Sequence, residues 1–472
     1  MSSFAIHTLG CKVNQYESQQ IVELLGSLGL RPVERNGQAA ELVVVNTCCV
    51  THTASAKSRQ CIRRAQRLNP GAVIVVVGCL AAVEGGGLSR PGSNIHVVGD
   101  KNRLPAVLAR LSAQPHRRDP RLSDARGNST IKAEISPAVK HKNAATHYPD
   151  LGPLSRFRGH TRAFLKVQDG CDGPCTYCII PKTRPVVRSK RPEAVLAEAR
   201  ALVAAGHKEI VVTGIFLGAY GQETVRRNRW LGRENPHLPD LLEKLAQIAG
   251  LERIRLSSLE PMDVTPGLLD VLAANRNIMP HLHLSLQSGS NRILRLMCRQ
   301  YRRQDFLAAV QAVRARLDRP AITTDIIVGF PGERDEDFQE TVELVRQVGF
   351  SRLHVFGFSP RKGTAAARMG PPVAPPVTRH RCRLLRGLGE QLAGQFRRQF
   401  IGETASVLIE NTNGKVAGRS ERYFEVCLDG RTSGVKTNDI VSVELLEDCG
   451  TGLRGRALIA QRSCLGAGLA EK

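Results

Sequence analysis

The chain has 472 residues, 42% of them hydrophobic, enough for two or three domains with their own cores, and this excludes a fold that must lean on disulfides or a partner. Lys and Arg number 67 against 43 Asp and Glu, a net charge of +24 that suits a polyanionic partner such as RNA, with a solvated basic surface as the plainer alternative. Residues 1–12 carry neither a basic leader nor a long apolar run, and the most apolar stretch, 72–83, is too short to span a bilayer; the expectation is a cytoplasmic protein with no membrane partner.

In such a reducing compartment the 13 cysteines are expected as metal ligands or buried residues rather than disulfides, so their spacing matters. The first hundred residues alternate short apolar runs with a helical pattern. Phe4 to Leu9, Leu42 to Val45, Val73 to Val77 and Ile95 to Val98 are predicted as buried parallel strands, and Glu17 to Leu28 as a helix with Ile21, Val22, Leu24, Leu25 and Leu28 on one face. This is an N-terminal parallel α/β domain, expected over residues 1–111. Each of its first three strands delivers a cysteine just past its C-terminal end: Cys11, Cys48 and Cys79. In a parallel sheet those ends share one edge, where α/β proteins bind ligands, so the three thiols can converge on a second 4Fe-4S cluster. Taken singly, each is more often a small buried hydrophobe.

Residues 112–160 have scattered Pro, Gly, Ser and Asn with no apolar period and are expected to form a linker, flexible or draped over the surface. The strand-then-helix pattern then repeats about six times: Ala163 to Val167, Ile210 to Thr213, Arg253 to Leu256, His281 to Leu286, Ile322 to Val328 and Arg352 to Phe358. Helical segments such as Pro192 to Ala205 and Asp335 to Val348 lie between them. Six such units predict a partial (β/α)6 barrel over 161–400 with its chemistry at the C-terminal strand ends. An insertion from Gln222 to His237, with Arg226, Arg227, Arg229 and Trp230, is a candidate substrate loop. After an Arg-rich helical stretch from Thr378 to Phe400, strand-like alternation in Ala405 to Ile409, Phe424 to Leu428 and Ile440 to Leu445 predicts a small C-terminal β-barrel over 401–465.

Directly after the first barrel strand comes Cys171-Asp172-Gly173-Pro174-Cys175-Thr176-Tyr177-Cys178. Three thiolates on one tight loop can hold three irons of a 4Fe-4S cluster and leave the fourth open. The open iron can chelate S-adenosylmethionine and pass one electron to its sulfonium, releasing a radical able to attack an unactivated C–H bond. A zinc site wants four ligands, one more than the loop offers. No catalytic residue beyond the cluster ligands is predicted. Strand ends should line the cofactor cleft, which makes Thr213, Gly214, Ser258, Glu260, Gln287 and Asp325 the S-adenosylmethionine candidates, with capping and turn formation as their plainer role.

Several runs carry a resemblance: Thr8-Leu9-Gly10-Cys11-Lys12-Val13-Asn14-Gln15, Asn46-Thr47-Cys48, Val77-Gly78-Cys79, the cysteine loop, Arg255-Leu256-Ser257-Ser258-Leu259-Glu260-Pro261, His283-Leu284-Ser285-Leu286-Gln287-Ser288-Gly289-Ser290 and Thr324-Asp325-Ile326-Ile327-Val328-Gly329-Phe330-Pro331-Gly332-Glu333. Together they resemble the radical S-adenosylmethionine methylthiotransferase family, in the branch acting on threonylcarbamoyladenosine of tRNA. The resemblance implies two 4Fe-4S clusters, two molecules of S-adenosylmethionine per turnover, a TRAM-like terminal barrel that grips RNA, and sulfur delivery to carbon 2 of adenine 37 in the tRNA anticodon stem-loop. A one-electron donor such as flavodoxin or ferredoxin, and a monomeric state, are the further expectations. Related enzymes acting on isopentenyladenosine or on a ribosomal-protein aspartate are the near alternatives, and a non-catalytic iron-sulfur RNA-binding protein the distant one. The Lys12-Val13-Asn14 run and the charge favour the threonylcarbamoyl substrate. The terminal stretch, 401–472, has nine Lys and Arg against ten Asp and Glu, so the positive stretches Lys182 to Arg191, Arg292 to Arg319 and Arg379 to Arg398 are the expected RNA contacts.

Overall fold

A computed structural model describes residues 1–33, 40–88, 94–113, 151–232, 234–412, 414–430, 432 and 434–458. The N-terminal unit runs β1 (Ser3–Thr8), α1 (Lys12–Ser27), β2 (Arg31–Pro32), β3 (Leu42–Thr47), α2 (His52–Leu68), β4 (Val73–Gly78), α3 (Cys79–Glu84), β5 (Ile95–Val97) and α4 (Leu104–Ala113). Its strands form one parallel sheet in the order β2-β1-β3-β4-β5. β3 and β4 are near-continuous Val and Leu runs because helices cover both of their faces, and Val43, Val44, Val45, Val75 and Val76 are fully buried. The two-residue β2 has no sequence signal of its own; it pairs Ser3 with Arg31 and Phe4 with Pro32.

Most of the predicted linker, residues 114–150, lies outside the described residues. Its ends depart from the expectation: α4 runs on to Ala113, and Leu154 and Phe157 are buried in the main core instead of draping over the surface. Phe157 packs edge-on against Phe164 of the first barrel strand, which ties this segment to the core.

The six predicted barrel strands appear as β6 (Ala163–Lys166), β9 (Glu209–Thr213), β10 (Arg253–Leu256) continuing into β11 (Ser258–Leu259), β12 (His281–Leu284), β13 (Ala321–Val328) and β14 (Arg352–Gly357). A two-stranded ribbon, β7 (Gln168–Asp169) with β8 (Arg188–Ser189), flanks the cysteine loop and its short helix α5 (Ile180–Thr183). Helices α6 (Pro192–Ala204), α7 (His237–Ala246), α8 (Pro266–Ala274), α9 (Asn291–Leu296), α10 (Arg303–Arg316), α11 (Asp335–Val348) and α12 (Pro375–Arg398) complete the unit. All its paired barrel strands are parallel, in the order β6-β9-β10 and β11-β12-β13-β14.

The terminal unit is a closed barrel of five strands, β15 (Thr404–Asn411), β16 (Ala417–Ser420), β17 (Glu425–Asp429), β18 (Ile440–Asp448) and β19 (Leu453–Ala457), ordered β15-β16-β17-β19-β18. Sequence alternation reached three of these; β16 and β19 contain Gly418 and Gly455, where a Cβ would sit 2.2 Å from Leu408 O and 2.5 Å from Val443 Cγ1, close approaches that erase the alternation. Residues 459–465 of the predicted barrel lie outside the described residues. Two arginines of β10 fasten this unit: Arg253 donates to Ser406 O at 2.7 Å and Arg419 O at 3.0 Å, and Arg255 to Ser420 O at 2.7 Å and Glu421 O at 2.9 Å. Both are buried and share Glu209 as counter-ion, which turns an otherwise costly burial into a docking latch. Among the described residues no helix is long and apolar enough to cross a membrane.

Candidate active site

The cysteine loop leaves β7 through Gly170, at φ +80°, where a Cβ would meet Val186 O at 1.8 Å; only glycine makes that turn. Cys171 N then donates to Arg184 O at 2.9 Å, and Gly173 N to Cys171 Sγ at 3.3 Å. Asp172 anchors the loop to the insertion, accepting from Thr224 Oγ1 at 2.7 Å and Val225 N at 2.8 Å. Thr176 ties it to the end of α9 through Met297 O and Leu296 O. The insertion is thus part of the loop's support: Arg227 lies 4.8 Å from the Trp230 ring centroid and 2.6 Å from Asp263. Residue 233 within it lies outside the described residues.

Burial pushes the Cys171 thiol up to about 12 and the Cys178 thiol up to about 11, and raises Cys175 too. Such thiols stay protonated until a metal displaces the proton. Arg299, unsignalled by any sequence motif, donates from Nη1 to Cys175 Sγ at 3.1 Å and pairs through Nη2 with Glu260 Oε1. Glu260 is itself pushed up by burial against the pull of Arg299 and Arg227; its Oε2 stands 3.5 Å from Arg227 Nη2 without a hydrogen bond.

The second cysteine set sits on the C-terminal edge of the first sheet. Cys11 is the N-cap of α1, Cys48 follows β3, and Cys79 opens α3. A Cβ on Gly10 (φ +108°) would meet Cys48 Cβ at 2.8 Å and Sγ at 3.1 Å, and one on Gly78 (φ +89°) would meet Thr47 O at 2.4 Å; two glycines keep this edge open. The charges of Cys11 and Cys79 both act on Cys48, whose thiol burial raises to about 11. Cys49 is fully buried and packs with Cys79, Leu80 and Ile179. Cys79 is lowered despite its burial, first by a hydrogen bond from Cys49 and then by the Arg184 charge.

The two sets face one another. Ile179, next to Cys178, packs against Cys79, and Cys79 acts electrostatically on Cys178. Between the units lies a buried charge cluster: Arg184 Nη1 pairs with Glu17 at 2.8 Å and Asp169 at 2.7 Å, and Lys166 with Glu17 at 3.0 Å. Burial pushes the Glu17 carboxyl up, but Arg184, Lys101 and Lys166 override it and hold it well below the usual range. The donor set fits two clusters: six thiols in two groups of three, with glycines clearing space beside Cys48 and Cys171. Among the described residues no three of His, Cys, Asp or Glu are drawn together as tightly as a single metal ion would need.

The six cofactor candidates fall in four places. Ser258 and Asp325 line a cavity of ≈ 320 Å³ in the barrel lumen. Glu260 stands beside the cysteine loop in its Arg pair. Thr213 and Gly214 end β9 beside Gln168, whose Oε1 accepts from Phe216 N at 2.8 Å, and Thr213 is buried. Gln287, at φ +66°, joins the Asp325 region only through its backbone, donating to Asp325 O at 2.9 Å. Thr213, Gly214, Glu260 and Gln287 do not line the lumen. Outside the two triads the expectation of a buried residue fails at Cys298 (φ +53°) and Cys449, which are exposed, and Cys464 lies outside the described residues. Arg381, counted in a positive stretch, is buried in ion pairs with Glu333 and Asp335, so it is unavailable to RNA; Arg379 and Arg383 are exposed.

Residues 165–345 match the family described as the Radical SAM superfamily and residues 3–99 match Uncharacterized protein family UPF0004. The fold agrees: the radical S-adenosylmethionine methyltransferase TsrM from Kitasatospora setae aligns with TM-score 0.50 at 15% identity, over 76% of this chain and 72% of that one. Barrel and loop thus define a radical S-adenosylmethionine enzyme, a class built on a 4Fe-4S cluster with S-adenosylmethionine. The chain is 37% identical to threonylcarbamoyladenosine tRNA methylthiotransferase MtaB of Bacillus subtilis over 95% of this chain and 94% of that protein. It is 32% identical to tRNA-2-methylthio-N(6)-dimethylallyladenosine synthase of Corynebacterium urealyticum over 94% of this chain and 80% of that protein. The chain belongs to the radical S-adenosylmethionine methylthiotransferase family, whose members carry two 4Fe-4S clusters.

Proposed function

We propose that the chain converts N6-threonylcarbamoyladenosine at position 37 of tRNA to its 2-methylthio derivative. The observation that carries this reading is the meeting of two cysteine triads, Cys171, Cys175 and Cys178 with Cys11, Cys48 and Cys79, beside a basic lumen. The first triad holds the radical cluster and the second the auxiliary cluster. When bound, the clusters and S-adenosylmethionine supply a radical and a sulfur atom, which carbon 2 of adenine requires because its C–H is neither acidic nor electrophilic enough for polar catalysis.

The chain's own residues position and shield. Arg299 steadies Cys175 by a charge-assisted hydrogen bond that opposes the effect of burial, and the Arg184 charge pulls Cys79 the same way. Glu260 offers an oxygen without a hydrogen-bond partner, fit for an ammonium donor; with Thr213, Gly214 and Gln287 it forms the proposed S-adenosylmethionine side. Ser258 and Asp325 form its lumen side. Residues 1–111, 161–400 and 401–465 act as auxiliary-cluster, radical and RNA-gripping units. A monomer in the cytoplasm, fed single electrons by a flavodoxin or ferredoxin, completes the reading.

The threonylcarbamoyl substrate is preferred over the isopentenyl one by the higher identity and fuller coverage of the MtaB relative. Mass spectrometry of tRNA nucleosides from a deletion strain tests it. Loss of the methylthio form of threonylcarbamoyladenosine, with isopentenyl derivatives intact, is expected; the reverse pattern contradicts it.

A further inference from the structure

The lumen cavity is lined by four cations, Lys12, Arg162, Arg255 and Arg352, and by one carboxylate, Asp325. Two of the cations are already committed. Arg162 Nε donates to Glu410 at 2.7 Å and Nη1 to Tyr423 Oη at 3.1 Å; Arg255 Nε donates to Glu209 at 2.7 Å and its other nitrogens to backbone carbonyls. Asp325 stands 3.4 Å from His283 Nε2, a charge contact too long for a good hydrogen bond.

Arg352 is exposed and, like Lys12, makes no hydrogen bond or ion pair among the described residues; Lys12 is the more enclosed of these two uncommitted cations. It is half-buried on the first turn of α1 and reaches the lumen from the neighbouring unit. Its charge is nonetheless felt by His281, His354, Asp325 and Tyr423. The cavity holds further unanswered polar groups: His281 Nδ1 and Ser257 Oγ have no partner although their residues are only 7% and 6% exposed. Tyr423, stacked 4.5 Å from the His281 ring, forms part of the same wall. Buried donors or acceptors without a partner are costly unless a ligand answers them, and the half-buried ammonium beside them favours an anionic one.

A wholly apolar N6 substituent would leave all of these groups unanswered. A threonylcarbamoyl substituent ends in a carboxylate and carries a hydroxyl, which would answer them. Resting on the substrate reading above, we propose that Lys12 is a specificity-determining residue that receives the substrate's carboxylate in the lumen, with His281 and Ser257 serving its neutral polar groups.

The test uses the full-length reconstituted protein and three anticodon stem-loop RNAs, one with N6-threonylcarbamoyladenosine, one with the threonine carboxylate capped as a primary amide and one with N6-isopentenyladenosine. The wild type is expected to prefer the acid by about ten- to a hundred-fold. Lys12→Met should bring that ratio close to one by raising KM for the acid alone, and Lys12→Arg should keep most of it. The same ratio is read in an RNA-binding titration, so a variant whose neighbouring Cys11 loads poorly still reports. An unchanged acid preference in Lys12→Met overturns the proposal, as does a wild type that converts acid and amide equally, an outcome that leaves the substrate reading standing. A wild type that converts only an isopentenyladenosine RNA overturns the substrate reading itself.

Discussion

The two cysteine triads reach one face of the molecule by different routes. Cys171, Cys175 and Cys178 are brought together by eight consecutive residues, and a glycine turn with an Asp172 anchor suffices to shape the loop. Cys11, Cys48 and Cys79 are far apart in sequence and meet only because β1, β3 and β4 are adjacent and parallel. A local motif tolerates damage elsewhere in the fold; a set assembled by sheet topology depends on every element that fixes the register. The same contrast extends to the positioning residues: Arg299 lies within the radical unit, whereas Arg184 crosses between units to reach Glu17 and Cys79.

The largest expected effect follows from the local set. Replacing Cys171, Cys175 and Cys178 together by Ala should lower iron from about eight to about four per chain and abolish cleavage of S-adenosylmethionine. Retained cleavage would break the distinction between the sets.

Single replacements sharpen it. Cys48→Ala is predicted to lose the auxiliary iron and methylthiolation, because the Cys48 side chain borders Gly10 and so lies on the Cys11 side of the sheet edge. Cys49→Ala should keep the iron, since that side chain packs with Leu80 and Ile179. Equal iron loss in the two variants would move the ligand to a shared role.

Next comes the charge cluster that joins the units. Arg184→Met leaves the buried Glu17 and Asp169 to share Lys166, with Lys101 on Glu17, and should cost about 3 kcal/mol, read as a drop in the unfolding midpoint. Acid probes the same cluster. The Glu17 carboxyl is lower in the folded chain than its ordinary value near 4.5, so its contribution is complete above about pH 4.5 and is lost as pH falls through the folded value. Glu17→Gln should flatten that acid limb, and a variant as acid-sensitive as the wild type would show that Glu17 does not set it.

The smallest effect concerns RNA. Charge reversal at exposed Arg379 and Arg383 should shallow the salt dependence of tRNA binding by about 0.7 in log-log slope for each phosphate that is no longer neutralised. Arg381→Glu should act on stability instead, through its Glu333 and Asp335 pairs.

Much of this fold is legible in the sequence for a physical reason. Strands β3, β4 and β13 announce themselves as apolar runs because both faces are covered, and the radical loop because its ligands are close in sequence. What stays hidden depends on contacts between distant segments. Arg299 belongs to no spacing pattern, and the lone Lys166 in an otherwise apolar strand is the only local sign of a partner such as Glu17, 149 residues away. Leu154 and Phe157 sit in a polar stretch too short to show a period, yet both are core. The family resemblance carries the TRAM-like terminal barrel, where β16 and β19 lack alternation.

The claim that two triads hold two clusters with separate tasks is tested most directly in the Cys11, Cys48 and Cys79 triple alanine variant, by measuring iron together with 5′-deoxyadenosine and methylthiolated nucleoside. About four irons, continuing deoxyadenosine formation uncoupled from substrate, and no methylthiolated product are predicted. Full iron content with product formation would contradict the claim.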